Sequence, residues 1–211
     1  MPAKKKVLVA NGQGFWGDSI LGPIRLLREG PLDYLTLDYL AEVTLSIMQK
    51  QRSRDPRTGY ATDFVQLIER VLPQLVEKNV KVVANAGGVN PHACKDALLA
   101  VIGKAGKSGL KVAVVEGDDI LERLDALLQQ GEEFRNLDSA RPLAEVRDRV
   151  LSANVYTGAF PIAEALGQGA QIVLTGRATD PSLVLGPLVH EFGWGPNDHT
   201  QLAAGTVAGH N

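Results

Sequence analysis

Short apolar runs alternate with helix-period stretches along most of this 211-residue chain, and nothing else in it limits the fold so strongly. Residues 7–10 (VLVA), 33–38 (DYLTLD), 80–84 (VKVVA), 110–115 (LKVAVV) and 171–175 (QIVLT) each read as a strand. Runs this apolar suit a parallel sheet covered on both faces. Helical patterns lie between them at 24–28, 40–51, 64–78, 94–104, 120–129, 162–166 and 183–192. Strand and helix in repeated succession predict an α/β, Rossmann-like three-layer fold with a mainly parallel sheet. Asn154-Val-Tyr156 reads as a sixth strand.

Three segments depart from the alternation. Residues 51–60 (QRSRDPRTGY) and 130–151 are charged and read as surface excursions, with mobile lids as the functional alternative. Residues 202–209 (LAAGTVAG) are small and apolar, of the kind that packs tightly, and no polar tail follows them. The expectation is one α/β domain over residues 1–211, the N-terminal portion of a longer one truncated at its C-terminus.

Composition narrows the partners. A net charge of −2 and a pI near 6.1 exclude a nucleic-acid binder that works by bulk charge. No run approaches the ~18 apolar residues of a membrane span, and the apolar stretch behind the N-terminal lysines is too short for a secretory signal. Cys94, the single cysteine, cannot form an internal disulfide. These features predict a cytoplasmic protein with no nucleic-acid or membrane partner, and leave a homo-oligomer open.

In open parallel sheets, ligands bind outside the carboxyl ends of the strands. Here those ends carry much of the chain's glycine: Asn11-Gly-Gln-Gly-Phe-Trp-Gly17-Asp18, Asn85-Ala-Gly-Gly88, Glu116-Gly-Asp-Asp119 and Thr175-Gly-Arg177. Glycine lets backbone approach a ligand closely, and the polar groups would converge on one crevice. Gly12, Gly14 and Gly17 match G-x-G-x-x-G, with Asp38 at the end of the second strand, 21 residues beyond Gly17. Pro23 nevertheless places the helix start near Gly22, too late for a pyrophosphate at its N-terminus, and Asp18 adds a negative charge there.

Asn90-Pro91 and Asp180-Pro181 each read as an N-cap followed by proline. Gly87 and Gly88, ahead of the first of these, offer backbone N–H groups to an anion, and Arg177 offers a bidentate donor. Asp119 and Glu122 resemble a capping box, which leaves Glu116 and Asp118 for acid–base chemistry or a hard cation. Cys94 reads as a small core residue, with a thiol nucleophile at the helix start as the alternative. The histidines show no metal-ligand spacing.

The segments NGQGFWGD (11–18), DYLTLDYLAEVT (33–44), RDPRTGYATDF (54–64), VVANAGGVNPHAC (82–94) and KVAVVEGDD (111–119) occur in that order. They are followed by YTGAFPIAEAL (156–166), IVLTGRATDPSLVLGPLVHEFGW (172–194) and LAAGTVAGH (202–210). Together they resemble the N-terminal domain of the acyclic terpene utilisation family, the AtuA-like proteins, over essentially the whole chain. The resemblance implies a role in bacterial breakdown of acyclic terpenoids such as citronellol and geraniol through CoA-thioester intermediates. It also implies a domain that runs on past residue 211. It carries over no catalytic residues, so the site rests on the strand ends.

The leading expectation is a catabolic enzyme acting on an anionic small molecule, a branched or terpenoid carboxylate or an acyl-CoA. Asn11, Gly12, Gly14, Asn85, Gly87 and Gly88 would position the ligand. Arg177 would clamp its anionic group, and Glu116 and Asp118 would carry the acid–base step. Two rivals stand beside it. One is an NAD(P)-dependent oxidoreductase using Gly12, Gly14, Gly17 and Asp38; the other is a non-catalytic pathway subunit. The residues name no cofactor and no metal site.

Overall fold

The computed structural model describes residues 6–210; the start of the chain with most of its lysine run, and Asn211, lie outside them. The expected strands form β1 (Val9–Gln13), β2 (Tyr34–Leu37), β3 (Lys81–Ala84), β4 (Val112–Val115) and β5 (Ile172–Thr175). All pair in parallel, in the order β1-β2-β3-β5-β4. The helices are α1 (Leu21–Glu29), α2 (Glu42–Arg52), α3 (Thr62–Glu77), α4 (Pro91–Lys104), α5 (Leu124–Gln129), α6 (Ala159–Gly167), α7 (Ser182–Phe192) and α8 (His199–His210).

Alternation along the strands builds two cores. Leu35, Leu37, Val82, Ala84, Ile172 and Leu174 face the layer that holds α1 to α4. Tyr34, Val83, Val115 and Val173 face α6 and α7. Helix α3 shows why a helix covers the first face: Phe64, Leu67, Ile68, Val71, Leu72 and Leu75 repeat at helical spacing, and all are buried. With both faces covered, β2 and β5 are buried along their whole length, which accounts for their apolar runs.

Strand order locates the crevice. From β1 through β3 the chain advances strand by strand, then β4 is laid one place further out and β5 returns into the gap. Right-handed crossovers put helices of the advancing connections on one face and the helix of the returning one on the other. So α4, leaving β3, and α7, leaving β5, lie on opposite faces. Neighbouring strands whose chains depart to opposite sides leave a cleft at their carboxyl ends. Here that point lies between β3 and β5.

Several local expectations change. Strand β1 does not stop at Ala10 but continues through Asn11 and Gly12 to Gln13, with a register shift at Gly12. Buried Gln13 sustains the extension by accepting the Tyr39 hydroxyl through Oε1 and donating to the Asp18 carbonyl. The 154–156 segment is not a sixth strand. It makes single bridges, Asp119 with Asn154 and Thr157 with Ala178, and so forms a strap over the ends of β4 and β5. The N-cap of α7 is Pro181 rather than Asp180, with no side-chain cap bond. Residues 51–60 are pinned down: Asn90 donates to the Pro56 and Thr58 carbonyls, and Arg52 donates to the Val89 carbonyl. The small residues near the C-terminus form α8, whose Gly205 and Gly209 let it approach Leu185 and Pro181.

Candidate functional site

The crest of the sheet is built from four strand ends, beginning with β2 and β3. Asn85 follows β3 and is fully buried. Its amide donates to Asp38 Oδ1 at 2.6 Å, and its Oδ1 accepts the Tyr39 N–H at 2.6 Å, locking the end of β2 onto that of β3. Burial raises the Asp38 carboxyl above the usual range, and the charge of Asp180 adds to the shift. Asp38 therefore belongs to the inter-strand lock.

Gly87 and Gly88 lie in the same turn, and both N–H groups have internal acceptors, the Thr175 carbonyl at 3.1 Å and the Asn85 carbonyl at 3.4 Å. Their role here is close packing. Gly88 has φ +57°, and a side chain there would collide with Met48 and the Gly59 carbonyl. On β1, Asn11 is exposed and Gly12 packs against Pro23, Leu35 and Leu37. The glycine loop beyond already holds an internal carboxylate: Asp18 accepts the N–H of Gly14 at 3.1 Å and of Ser19 at 2.6 Å. Helix α1 begins at Leu21, behind that loop, as the position of Pro23 led us to expect.

The β5 end supplies Arg177, which is nearly fully buried. One arm of its guanidinium donates to the Leu40 carbonyl, reaching past β3 to the chain leaving β2. The other donates to Tyr156 Oη at 3.0 Å and Glu42 Oε1 at 3.1 Å, and the Tyr156 ring lies 4.4 Å from the guanidinium carbon. The Tyr156 hydroxyl in turn donates to Glu42. That hydrogen bond, then one from the Glu42 backbone N–H, then the nearby charge of Arg177 hold the Glu42 carboxyl below its ordinary value.

The β4 end supplies Glu116 and Asp118. Asp118 is buried, and its Oδ2 accepts the Arg177 backbone N–H at 2.7 Å and the Asn154 amide at 3.0 Å. Burial raises its carboxyl above the usual range, outweighing those two hydrogen bonds. Glu116 is exposed and meets His92 Nε2 at 2.5 Å. Both line a cleft of about 210 Å³, together with Arg52, Asn90, Asp118 and Asp119.

The fold thus gathers Asn85, Gly87, Gly88, Glu116, Asp118 and Arg177 around the ends of β3, β4 and β5. Asn11, Gly12 and Gly14 lie at the far edge of the sheet, beyond β2. Sequence reasoning missed His92, Glu42 and the part played by Tyr156. His92 carried one available signal, its place in the first turn of the helix that Asn90 caps, where Asn90 Oδ1 accepts the Ala93 N–H at 3.4 Å. Cys94 is core, and burial pushes its thiol far up. Among the described residues no group of three or more His, Cys, Asp and Glu is placed to hold a metal ion, and no helix is long and apolar enough to cross a membrane.

A five-stranded parallel sheet covered on both faces, with a polar crest at its switch point, defines a Rossmann-like three-layer α/β protein. The family model described as acyclic terpene utilisation family protein AtuA matches residues 7–211, and the chain belongs to that family. No curated protein and no solved structure matches it.

Proposed function

We propose that this protein is a cytoplasmic enzyme of acyclic terpenoid breakdown. In this reading it transfers a proton on a branched carboxylate, or on its acyl thioester, bound across the ends of β3, β5 and β4. The observation that carries the proposal is the contact between His92 Nε2 and Glu116 Oε1, 2.5 Å apart in a cleft beside the switch point. A carboxylate sharing a hydrogen with an imidazole can take a proton from a ligand and pass it to solvent. Asp118, with its carboxyl raised by burial, lines the same cleft and is the second proton carrier. Arg177 receives the ligand's anionic group, and Asn85, Gly87 and Gly88 shape the wall between the two ends.

Membership of the family supports a role in acyclic terpene utilisation, and the polar crest supports a ligand over pure scaffolding. The test uses the whole protein in a host that depends on it for growth on an acyclic terpenoid. Glu116→Gln and His92→Ala are expected to stop that growth and leave growth on acetate intact. Undiminished growth in both variants overturns the proton-transfer assignment.

A further inference from the structure

The side chain of Arg177 is 7% exposed, whereas that of the Glu42 paired with it is 74% exposed. The other partners sit on backbone tied to the sheet. The Leu40 carbonyl belongs to the chain leaving β2, and Tyr156 belongs to the strap that bridges the ends of β4 and β5. Tyr156 is also exposed, but its ring stacks on the guanidinium; Glu42 is the exposed charged partner, in the first turn of α2, able to swing into water without disturbing the sheet. A guanidinium prefers a carboxylate in its plane, and the Tyr156 hydroxyl supplies a further donor to the same oxygen of Glu42.

We infer that Glu42 is an internal stand-in for the ligand's carboxylate, held on Arg177 and Tyr156 until a carboxylate ligand displaces it. This rests on the reading of Arg177 as the anion-receiving group, and it narrows the ligand to a free carboxylate at that end. Displacement exchanges one carboxylate for another, so the buried arginine never stands without a counter-charge. An uncharged ligand leaves Glu42 in place. The price of the device is affinity, because each ligand competes with a tethered carboxylate.

Binding of 3,7-dimethyloct-6-enoate and of the corresponding alcohol to the whole protein, measured by titration calorimetry, tests this. Glu42→Gln is expected to tighten carboxylate binding about fivefold, the upper range for an exposed ion pair, and to leave the alcohol unchanged. Arg177→Gln is expected to abolish carboxylate binding. Arg177→Lys keeps the charge but loses the fork, and serves if the glutamine variant does not fold. If Glu42→Gln leaves carboxylate affinity unchanged or weaker while either Arg177 variant weakens it, the stand-in role fails and the anion site survives. Equal tightening of acid and alcohol makes Glu42 a steric plug and overturns the exchange. Carboxylate binding that is absent, or indifferent to Arg177, overturns the site and the stand-in together.

Discussion

Asp118 Oδ2 accepts the Arg177 backbone N–H at 2.7 Å, tying the chain that leaves β4 to the chain that leaves β5. The contact depends on Gly176, since a Cβ there would collide with the Asp118 carboxylate. Through it the Glu116–Asp118 end of the crest and the Arg177 end are held at a set separation, with the strap residue Asn154 as the third member.

Gly176→Ala therefore strains this junction. Overpacking of a buried site costs about 1–3 kcal/mol, and a loss of that size is expected in urea unfolding. The Asp118→Ala background removes the colliding carboxylate, so the same substitution is expected to cost less there. An equal cost in both backgrounds would falsify the contact as its cause.

Asp118 also gives a pH dependence with a defined sign. Burial raises its carboxyl in the folded protein, so from about pH 4, the unfolded value, up to the folded value the native state binds more protons than the unfolded state. Stability from this group falls as pH rises through that window and is level above it. Asp118→Asn, which mimics the protonated form, is expected to gain stability relative to the unaltered protein between pH 4 and pH 7. A relative loss over that range would contradict the raised carboxyl.

Asn85→Ala leaves the buried Tyr39 N–H without its acceptor and Asp38 Oδ1 with only the Leu40 N–H. At about 1–3 kcal/mol for a buried group left unsatisfied, the variant is expected to lose about 2 kcal/mol. Chemical denaturation measures it, and a loss under 1 kcal/mol would show that the lock contributes little.

Glu116 and His92 are exposed, so their replacement is expected to change stability by no more than about 0.5 kcal/mol. The same variants are expected to lower turnover at least about 100-fold, the scale of a missing acid–base group. Thermal unfolding and activity measured on one preparation separate the two effects. Parallel losses would mark the pair as structural.

Cys94 lies in the core of α4, so a thiol reagent is expected to leave the native protein unmodified and to label one group per chain in urea. Rapid native labelling would place the thiol at the surface, contrary to its burial.

Much of the fold was legible locally. The apolar runs of β2, β3, β4 and β5 and the spacing in α3 survive almost unchanged, because side-chain period reports the faces an element must bury. The end of β1 was not legible: Asn11 and Gly12 look like a loop, and only the partners of Gln13 hold them extended. Asp180-Pro181 misled because a cap depends on backbone geometry as well as residue type. Asn85 and Asp118 could be singled out as polar residues at strand ends, but not with the partners they have.

Local residue patterns set most of the segments that become strands and helices, and made four strand ends rich in glycine and polar side chains. Those properties depend on residues a few places apart. Tertiary structure alone decided that β5 lies between β3 and β4, which sets the switch point beside Asn85 and Arg177. It also decided that Arg177 meets Glu42, 135 residues away, and that His92 meets Glu116. Such pairings follow from strand order and crossover direction, which no local periodicity encodes.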